Sequence, residues 1–478
     1  MEFEHEEEEA LQPMSPTAEY LKSSALSLMI LAVLEMEIPI DDTLAIPMLN
    51  DVFLPINPRF SCIMVTQNKG VKKWEKVEVN VSDHIITPTF KSGMSVEYYD
   101  KCFTEYLTRI GTQQFPTNKP LWELHIIKYP TKNAAGNVIF KLHHSLGDGY
   151  SLMGALLSCL QRMDNPLLPL SFPSRQSTST RTNARGYSVF GSVSKFVRGI
   201  SYTAYDLCWS VMKSSLIEDD KSPIRSNEDG VEFLPIVTIT TTLSMDRLKQ
   251  IKNKLKVTIN DVITGIIFCG TRMYMQKMSQ ESGVANSTAL VVLNTRALGG
   301  SYKSTKEMIK PNAEMPWGNR FAFLQIPIPK LTKSELKNPL KFVTNARQMI
   351  KRQRNSATIY LTGQLLNIMR KLGGVEATAR YIHGTFKNAS MTISNMMGPL
   401  EKMTLADHPI KGLYFVVPGP PQSITVTMVS YVETLRIAMT MEKDFMDPDT
   451  FKSCMEHAFE VIYKDALDDS PPSTTKSD

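Results

Sequence analysis

The first half of the chain carries apolar residues in two different periods. Runs rich in β-branched and aromatic residues, bounded by turn residues, predict strands, whereas apolar residues spaced three and four apart predict helices. We therefore predict strands at 25–37, 59–65, 120–127 and 137–144, and helices at 100–113 and 150–163. Because the turn-rich stretch KYPTKNAAG separates the last two strands, we expect them to pair as an antiparallel hairpin.

The second half continues the same mixture of elements. Strands are predicted at 232–243, 287–296, 319–328, 391–399, 412–418, 423–432 and 434–442, and helices at 244–255, 258–278, 335–352, 359–370, 374–382 and from 447 to about 466. Ser244 is the expected N-cap of one helix, Thr258 and Asp261 fit a capping box, and Asp447 followed by Pro448 starts the last helix. Both halves mix strands and helices, so we expect an α/β or α+β fold with two domains of similar size.

Composition changes along the chain suggest where the domains end. We expect an acidic, disordered N-terminus at 1–12, a first domain at 13–164, a linker or crossover at 165–230, a second domain at 231–467 and a disordered tail at 468–478. The linker begins with a stretch rich in proline, serine and threonine, which is typical of connecting segments.

Overall composition excludes several classes of protein. The 478 residues are 42% hydrophobic and 21% charged, as in ordinary globular proteins, and the net charge of +5 is too small to indicate nucleic-acid binding. Six scattered cysteines without a CxxC pair favour reduced thiols over disulfides or a zinc site. The acidic N-terminus does not resemble a signal peptide, and the apolar run at 25–34 is too short to span a bilayer, which needs about 20 residues.

The most informative stretch is HHSLGDG at 143–149, where a predicted strand ends on two histidines. Neighbouring residues in a strand face opposite ways, so one histidine can serve a site while the other is structural. An unperturbed imidazole pKa near 6.5 suits a general base at neutral pH. We assign that role to His144 and a structural role to His143.

Asp148 and the glycines beside it have two readings. The aspartate either points away from the histidine and pairs with an arginine elsewhere, holding the turn in shape, or it caps the helix that begins near Tyr150. We expect Gly147 and Gly149 to supply the backbone dihedral angles of a tight turn.

Further motifs follow in a recognisable order. PLWEL at 120–124, INDVITG at 259–265, VVLNTR at 291–296, WGNRF at 317–321 and SNMMGP at 394–399 accompany HHSLGDG. Together they resemble the plant-type wax ester synthase/diacylglycerol acyltransferase family, within the superfamily of chloramphenicol acetyltransferase-like, CoA-dependent acyltransferases. The resemblance covers about residues 13–465. The DFGWG motif of the other large family of plant acyltransferases is absent, and no carrier-protein or adenylation domain accompanies the motif.

This resemblance implies a fold and a reaction. The fold would have two chloramphenicol acetyltransferase-like domains with mixed sheets flanked by helices and a tunnel between them. The reaction would move a long acyl chain from CoA to a hydroxyl group, with His144 as general base and Asn260 as a possible oxyanion donor or positioning group. Without a GxSxG motif, or a cysteine beside the histidines, we expect no covalent acyl-enzyme, and neither a metal nor a cofactor is needed because acyl-CoA is a substrate.

The substrate channel and the acceptor are less well defined. By resemblance the channel would include Pro120, Leu121, Trp122, Met396 and Met397, although Trp122 could equally be an ordinary core residue. Expected partners are acyl-CoA and either a long-chain alcohol, which we favour, or diacylglycerol. The alternatives are an acyltransferase for another hydroxyl acceptor and a catalytically silent protein that binds lipid or acyl-CoA on the same fold. Neither nucleic-acid binding nor a particular oligomeric state is indicated.

The crossover contains a possible membrane contact. Apolar residues recur at helical spacing through 187–216, and Lys195 and Arg198 lie in its first half. Such a helix could lie in the interface of an anionic membrane, or it could pack on the protein as a plain crossover. The resemblance implies the cytosolic face of the endoplasmic reticulum membrane, with the plasma membrane as a second location.

Overall fold

The computed structural model describes most of the chain. The described residues are 11–14, 16–66, 72–171, 203–296, 305–310, 312–313, 316–332, 338–354 and 356–468. Residues 1–10 and 469–478, which make up most of the predicted terminal segments 1–12 and 468–478, lie outside this set, as do residues 187–202 of the crossover. The prediction of disorder was wrong for Leu11 and Gln12, which belong to a strand.

Strands are distributed over both halves of the chain. Their bounds are β1 Leu11–Pro13, β2 Met29–Met36, β3 Cys62–Thr66, β4 Lys72–Lys76, β5 Ile85–Ile86, β6 Trp122–Ile127, β7 Gly136–His143, β8 Leu160–Arg162, β9 Ile236–Ser244, β10 Thr288–Asn294, β11 Phe321–Pro327, β12 Met391–Met396, β13 Met403–Leu405, β14 His408–Val416, β15 Ile424–Tyr431 and β16 Thr434–Glu442.

Helices lie between groups of these strands, and short helical turns, among them Leu54–Ile56, also occur. Their bounds are α1 Pro16–Tyr20, α2 Ala45–Met48, α3 Val96–Thr112, α4 Gly149–Ser158, α5 203–215, α6 Met245–Leu255, α7 Ile259–Met278, α8 Thr305–Met308, α9 Leu340–Arg354, α10 Thr358–Lys387 and α11 Pro448–Leu467. The N-cap of α6, the capping box of α7 and the proline start of α11 are all confirmed.

The first sheet places the histidine strand near its centre. Among the described residues the strand order is β5-β6-β7-β2-β14-β13-β8, and β6 and β7 form the predicted antiparallel hairpin. Strands β13 and β14 come from the second half of the chain, yet β14 pairs with β2 and β13 with β8. A single cut in the sequence therefore does not separate the two sheets.

The second sheet and its helices form the larger core. Its order is β11-β10-β12-β15-β16-β9, in which β10, β12 and β15 run parallel and the remaining pairs are antiparallel. Helix α7 is buried over most of its length because α9 and α11 pack on it. The arrangement is a mixed α/β fold, as predicted.

Some boundaries differ from the predictions for local reasons. The helix predicted at 150–163 ends at Ser158 and is followed by β8, whereas the helices predicted at 359–370 and 374–382 join into α10. The join is a kink at Gly374, whose φ of 76° and ψ of −174° are open essentially to glycine alone.

Two chemical expectations can be compared with the fold. All six cysteines are free thiols, as predicted from their spacing. Within the described residues no helix is both long enough and apolar enough to cross a bilayer.

Candidate active site

The turn after β7 is built from a fully buried strand and a capped helix. Every residue of β7 is buried, and the strand ends at His143, whose carbonyl oxygen accepts a hydrogen bond from Leu146 N–H at 3.0 Å. Helix α4 then begins at Gly149, with Asp148 as its N-cap. Both histidines are therefore held between a central strand and a helix start.

Asp148 has both of the roles considered for it from the sequence: it caps a helix and it pairs with an arginine. Its Oδ1 accepts from Ser151 N–H at 3.0 Å, which caps the helix, and its Oδ2 accepts from Arg296 Nη1 at 2.5 Å and from Arg320 N–H at 2.8 Å. The expected arginine partner is thus Arg296. Both side chains are buried, so each charge depends on the other for compensation.

Arg296 extends this network to the second half of the chain. Its Nη2 donates to Ser151 Oγ at 2.9 Å and to the carbonyl oxygen of Gly318 at 2.6 Å. Nearby, Trp317 Nε1 donates to the carbonyl oxygen of Leu146 at 2.8 Å. The VVLNTR and WGNRF segments therefore close over the turn and fix its shape.

His143 has both ring nitrogens in use. Ser145 N–H donates to Nδ1 at 3.1 Å, so this nitrogen is an acceptor and the proton of the neutral ring lies on Nε2. Nε2 then donates to Ser27 Oγ at 3.2 Å, and Ser27 donates in turn to Gln114 Oε1. These bonds leave the ring no free nitrogen for a substrate.

His144 has the opposite tautomer. Asn319 Nδ2 donates to the His144 carbonyl oxygen at 3.0 Å, and this bond turns Asn319 Oδ1 toward His144 Nδ1, also at 3.0 Å. An amide oxygen only accepts, so Nδ1 carries the proton and Nε2 keeps its lone pair. No described residue forms a hydrogen bond with Nε2.

Burial keeps both rings neutral. It lowers the pKa of His144, against the opposing effects of Asp148 and of the bond to Asn319. It lowers the pKa of His143 well below the usual histidine range, and the nearby cation Lys22 acts in the same direction. A neutral imidazole with an open Nε2 is the form that can accept a proton.

The two glycines of the motif have a different role from the one predicted. Neither Gly147 nor Gly149 has a positive φ. A Cβ at Gly147 would lie 3.1 Å from Ser151 Cβ, and one at Gly149 would lie 3.0 Å from Met396 Sδ. Their value is therefore close packing against neighbouring elements and not access to unusual dihedral angles.

Two predicted residues, Asn260 and Asp261, lie at the start of α7. Asp261 Oδ2 accepts from Thr258 N–H at 2.9 Å, while Thr258 Oγ1 accepts from Asp261 N–H, so Asp261 completes the capping box. Asn260 Oδ1 accepts from Asn395 Nδ2 at 2.9 Å, which joins the INDVITG segment to SNMMGP. No hydrogen bond links Asn260 to His144.

The predicted channel residues lie in two environments. Pro120, Leu121 and Trp122 are buried in the first half of the molecule, and Trp122 stacks on His84 and donates from Nε1 to a backbone oxygen. Trp122 is thus a buried core residue, as its alternative interpretation held, and it is not among the residues that line the cavity described below. Met396 packs against Gly149, whereas Met397 is exposed.

A cavity of about 620 Å³ lies next to Phe321, and none of residues 143–149 is among the residues that line it. Phe321 forms its near wall, and the Phe321 ring lies 5.5 Å from the His144 ring, edge to face. Strand β11, helices α5 and α10, and the end of α9 enclose the rest. Its volume is typical of a small-molecule site.

The sequence analysis missed four residues that complete the turn: Ser151, Arg296, Asn319 and Arg320. Three of them lie about 150 or more positions from Asp148 or His144, so no local spacing connects them. Their only signal was that the VVLNTR and WGNRF segments belong to the resemblance. Arg296 and Asn319 are the polar side chains of those segments that could have been tested first.

Two kinds of solved structure share this fold. A solved wax ester synthase/diacylglycerol acyltransferase from Marinobacter aquaeolei VT8 has the same fold, with a TM-score of 0.61 at 15% identity over 95% of this chain and 99% of that one. The starter condensation domain of rhizomide synthetase is also similar, with a TM-score of 0.55 at 11% identity over 97% of this chain and 96% of that one.

Sequence comparisons give the family. Residues 66–263 match the wax ester synthase/diacylglycerol acyltransferase catalytic domain, and residues 317–463 match the C-terminal domain of the same family. Wax ester synthase/diacylglycerol acyltransferase 5 of Arabidopsis thaliana is 28% identical over 94% of this chain and 92% of its own, and number 4 is 27% identical over 91% and 87%. The chain belongs to the wax ester synthase/diacylglycerol acyltransferase family and is an acyltransferase.

Proposed function

We propose that the protein transfers a long acyl chain from acyl-CoA to the hydroxyl group of a long-chain alcohol, with His144 Nε2 as the general base. The observation that carries this proposal is the pair of opposite tautomers. Asn319 commits Nδ1 of His144 as a donor and leaves Nε2 as an acceptor, whereas His143 has no free nitrogen. Diacylglycerol is the second acceptor, since the names of the relatives include both activities.

The reaction can be written with one base and no covalent intermediate on the protein. Nε2 takes the hydroxyl proton while the alcohol oxygen attacks the thioester carbonyl carbon. The tetrahedral intermediate then collapses, the carbon–sulfur bond breaks, and protonated Nε2 returns the proton to the CoA thiolate. A thioester is already activated, so acyl-CoA serves as substrate and the step needs neither a metal nor a cofactor.

Asn260 remains our candidate for stabilising the oxyanion. Its Oδ1 is held by Asn395 Nδ2, which leaves the N–H groups of the Asn260 amide free to donate. An oxyanion-hole donor is worth about 10²–10³-fold in rate. The half-buried position at the first turn of α7 also places the positive end of a helix dipole nearby.

The cavity beside Phe321 is the proposed site for a substrate chain. Phe321 and Phe323 line it with aromatic rings 5.4 Å apart, and Phe323 meets Phe386 at 4.9 Å. These rings continue away from His144, so a chain whose reacting end lies at Nε2 could extend along them.

Membrane contact is a further part of the proposal. Helix α5 buries polar side chains, among them Asp206, Lys213 and Ser214, and exposes Tyr205 and Met212. Leu216, directly after the helix, is also exposed. This outward apolar side is the reverse of an ordinary surface helix and supports contact with lipid. We propose the cytosolic face of the endoplasmic reticulum membrane, with the plasma membrane as a second location.

A release assay tests the activity. Purified protein is mixed with palmitoyl-CoA alone, with added hexadecanol and with added diacylglycerol, and free CoA thiol is measured. We expect release that depends on hexadecanol and exceeds release with diacylglycerol. No thiol release above the background without protein, with either acceptor, would favour the silent binding protein instead.

Vesicle flotation tests the membrane contact. The wild type should float with anionic liposomes, and a variant with Tyr205, Met212 and Leu216 changed to serine should not. The matched control changes Met278 and Val284, exposed apolar residues on another surface, to serine. If the α5 variant floats as well as this control, the outward side of α5 does not bind the membrane.

A further inference from the structure

Strand β11 lines the cavity and leads away from His144, the proposed base. All residues from Phe321 to Gln325 contribute to the cavity lining, but Leu324 also packs into the core on the other side of the sheet. The alternate residues Phe321, Phe323 and Gln325 therefore offer their side chains to the cavity. Four residues of antiparallel strand span about 14 Å, at about 3.4 Å each. Because Phe321 lies against His144, Gln325 marks the far end of the cavity.

The far end is polar where the near end is aromatic. Gln325 is 5% exposed, and its Nε2 donates to Ser214 Oγ at 3.1 Å. Nε2 also lies 3.5 Å from the carbonyl oxygen of Ser210, which only accepts, and this contact sets the orientation of the Gln325 amide. Its Oε1 has no hydrogen-bond partner among the described residues.

Asp206 on α5 adds a second unsatisfied acceptor. It is also 5% exposed, and its Oδ1 forms an ion pair with Arg352. Its Oδ2 lacks a hydrogen-bond partner within the described part of the chain. Buried acceptors that lack a donor are unfavourable, so a ligand that supplies one would gain binding energy here.

The charges around this end favour a neutral donor. Arg352 already compensates Asp206, and Arg354 also lines the cavity, whereas Arg320 lies at the near end beside Phe321. An alkylammonium group would therefore meet an excess of positive charge. A hydroxyl group brings a donor without a charge.

From this arrangement we propose that the cavity binds an aliphatic chain that carries a second hydroxyl group, remote from its reacting end, which donates to Asp206 Oδ2 or Gln325 Oε1. The inference rests on the proposed acyl transfer. The chain could belong to the acceptor, as in a diol, or to the donor, as in a hydroxyacyl-CoA. In either case the remote hydroxyl group is unchanged and the product is an ester that carries it.

Paired substrates distinguish these two sources. In one arm palmitoyl-CoA is the donor, and kcat/KM for 1,12-dodecanediol, halved because its two hydroxyl groups are equivalent, is compared with that for 1-dodecanol. In the other arm hexadecanol is the acceptor, and 12-hydroxydodecanoyl-CoA is compared with dodecanoyl-CoA. We expect the hydroxylated member of one pair to be preferred by roughly tenfold or more, since hydrogen bonds to charged or buried groups are among the stronger ones.

Variants of Gln325 and Asp206 then test whether these residues bind the remote hydroxyl group. Gln325→Met and Asp206→Asn should change the preference ratio, whereas Phe323→Leu, nearer to His144, should change both members of a pair alike and leave the ratio as in the wild type. Thermal unfolding of each variant establishes that it is folded. If both variants keep the wild-type ratio, the hydroxyl group is recognised elsewhere and the inference is wrong.

Two further outcomes are separable. Turnover of the plain substrates without preference for a hydroxylated one overturns the inference while the proposed function stands. If no combination of donor and acceptor turns over, the proposed function fails and the inference fails with it.

Discussion

The turn after β7 and the far end of the cavity differ in how far their buried polar atoms are hydrogen-bonded. In the turn, Asp148 and both nitrogens of His143 are fully hydrogen-bonded, and the partners come from both halves of the chain. At the far end of the cavity, Asp206 and Gln325 each keep an acceptor without a partner among the described residues.

This difference separates the chemistry from the choice of substrate. A general base must be held in one orientation and tautomer, and in the turn every polar atom named above except His144 Nε2 has a partner within the protein. A site that selects a ligand instead needs groups that only the ligand completes. We therefore expect substitutions in the turn to abolish activity or destabilise the fold. Substitutions around the cavity should change the preference for one substrate over another.

The largest effect is expected for His144→Ala. Loss of the base should lower kcat by about 10²–10⁴-fold while acyl-CoA binding and folding persist. Steady-state kinetics with palmitoyl-CoA and hexadecanol measure the rate, and thermal unfolding measures the fold. A variant that retains more than a tenth of the wild-type rate would show that His144 is not the base.

Asp148→Ala should mainly affect stability. Removal of one member of a buried ion pair leaves Arg296 uncompensated and costs about 3–5 kcal/mol. Asp148→Asn keeps an acceptor for Ser151 and should recover part of that loss. Chemical denaturation gives both values. Lost activity with an unchanged free energy of unfolding would contradict the structural role and indicate direct catalysis.

Asn319→Ala tests whether the tautomer of His144 is set from the second half of the chain. We expect kcat to fall by up to about 10²-fold, because the ring loses its orientation. The bond to Asn319 raises the pKa of His144, so its loss should move the acidic limb of kcat/KM to lower pH, and Asn319→Asp should move that limb to higher pH. Identical pH profiles for both variants would rule out this positioning role.

The buried neutral state of His143 predicts a pH dependence of stability. Its pKa is lowered well below 6.5 in the folded state, so below pH 6.5 the unfolded chain binds a proton that the native protein does not. Stability is therefore fully present above pH 6.5 and falls by up to about 1.4 kcal/mol per pH unit below it.

Urea unfolding between pH 7.5 and 5.0 measures this effect. His143→Gln keeps a donor for Ser27 but does not titrate, so its stability should fall less steeply on acidification than that of the wild type. Because His144 is present in both proteins, the difference in slope belongs to His143. Parallel curves would contradict the expectation.

Several features could be predicted because their causes are local. The caps at Ser244, Thr258 and Asp447 follow from side chains within three residues of the helix start. The hairpin of β6 and β7 follows from its alternation and its turn. The histidine that can act as base was assigned from strand alternation and the motif, and the bonds to each ring support that assignment.

What could not be predicted depends on tertiary contacts. The pairing of β14 with β2 and the partners Arg296 and Asn319 are fixed by chain segments far apart in sequence. Helical spacing of apolar residues shows that α5 has an apolar side, but it does not show whether that side faces the protein or the solvent. For the same reason the sequence does not distinguish a core position from a channel-lining position for an apolar residue such as Trp122.

The smallest effect is expected on the cavity side, in helix α10, which lines it and kinks at Gly374. Gly374→Ala should destabilise by about 1 kcal/mol or more, because a φ of 76° with a ψ of −174° strains any residue with a Cβ. Gly363→Ala is the matched control: this glycine lies in the same helix with open space around it, so alanine should stabilise by about 0.5–1 kcal/mol. Thermal unfolding of the two variants, with dodecanol turnover measured in parallel, should give shifts of opposite sign. A melting temperature of Gly374→Ala that is unchanged or raised would show that the kink at Gly374 does not strain an alanine.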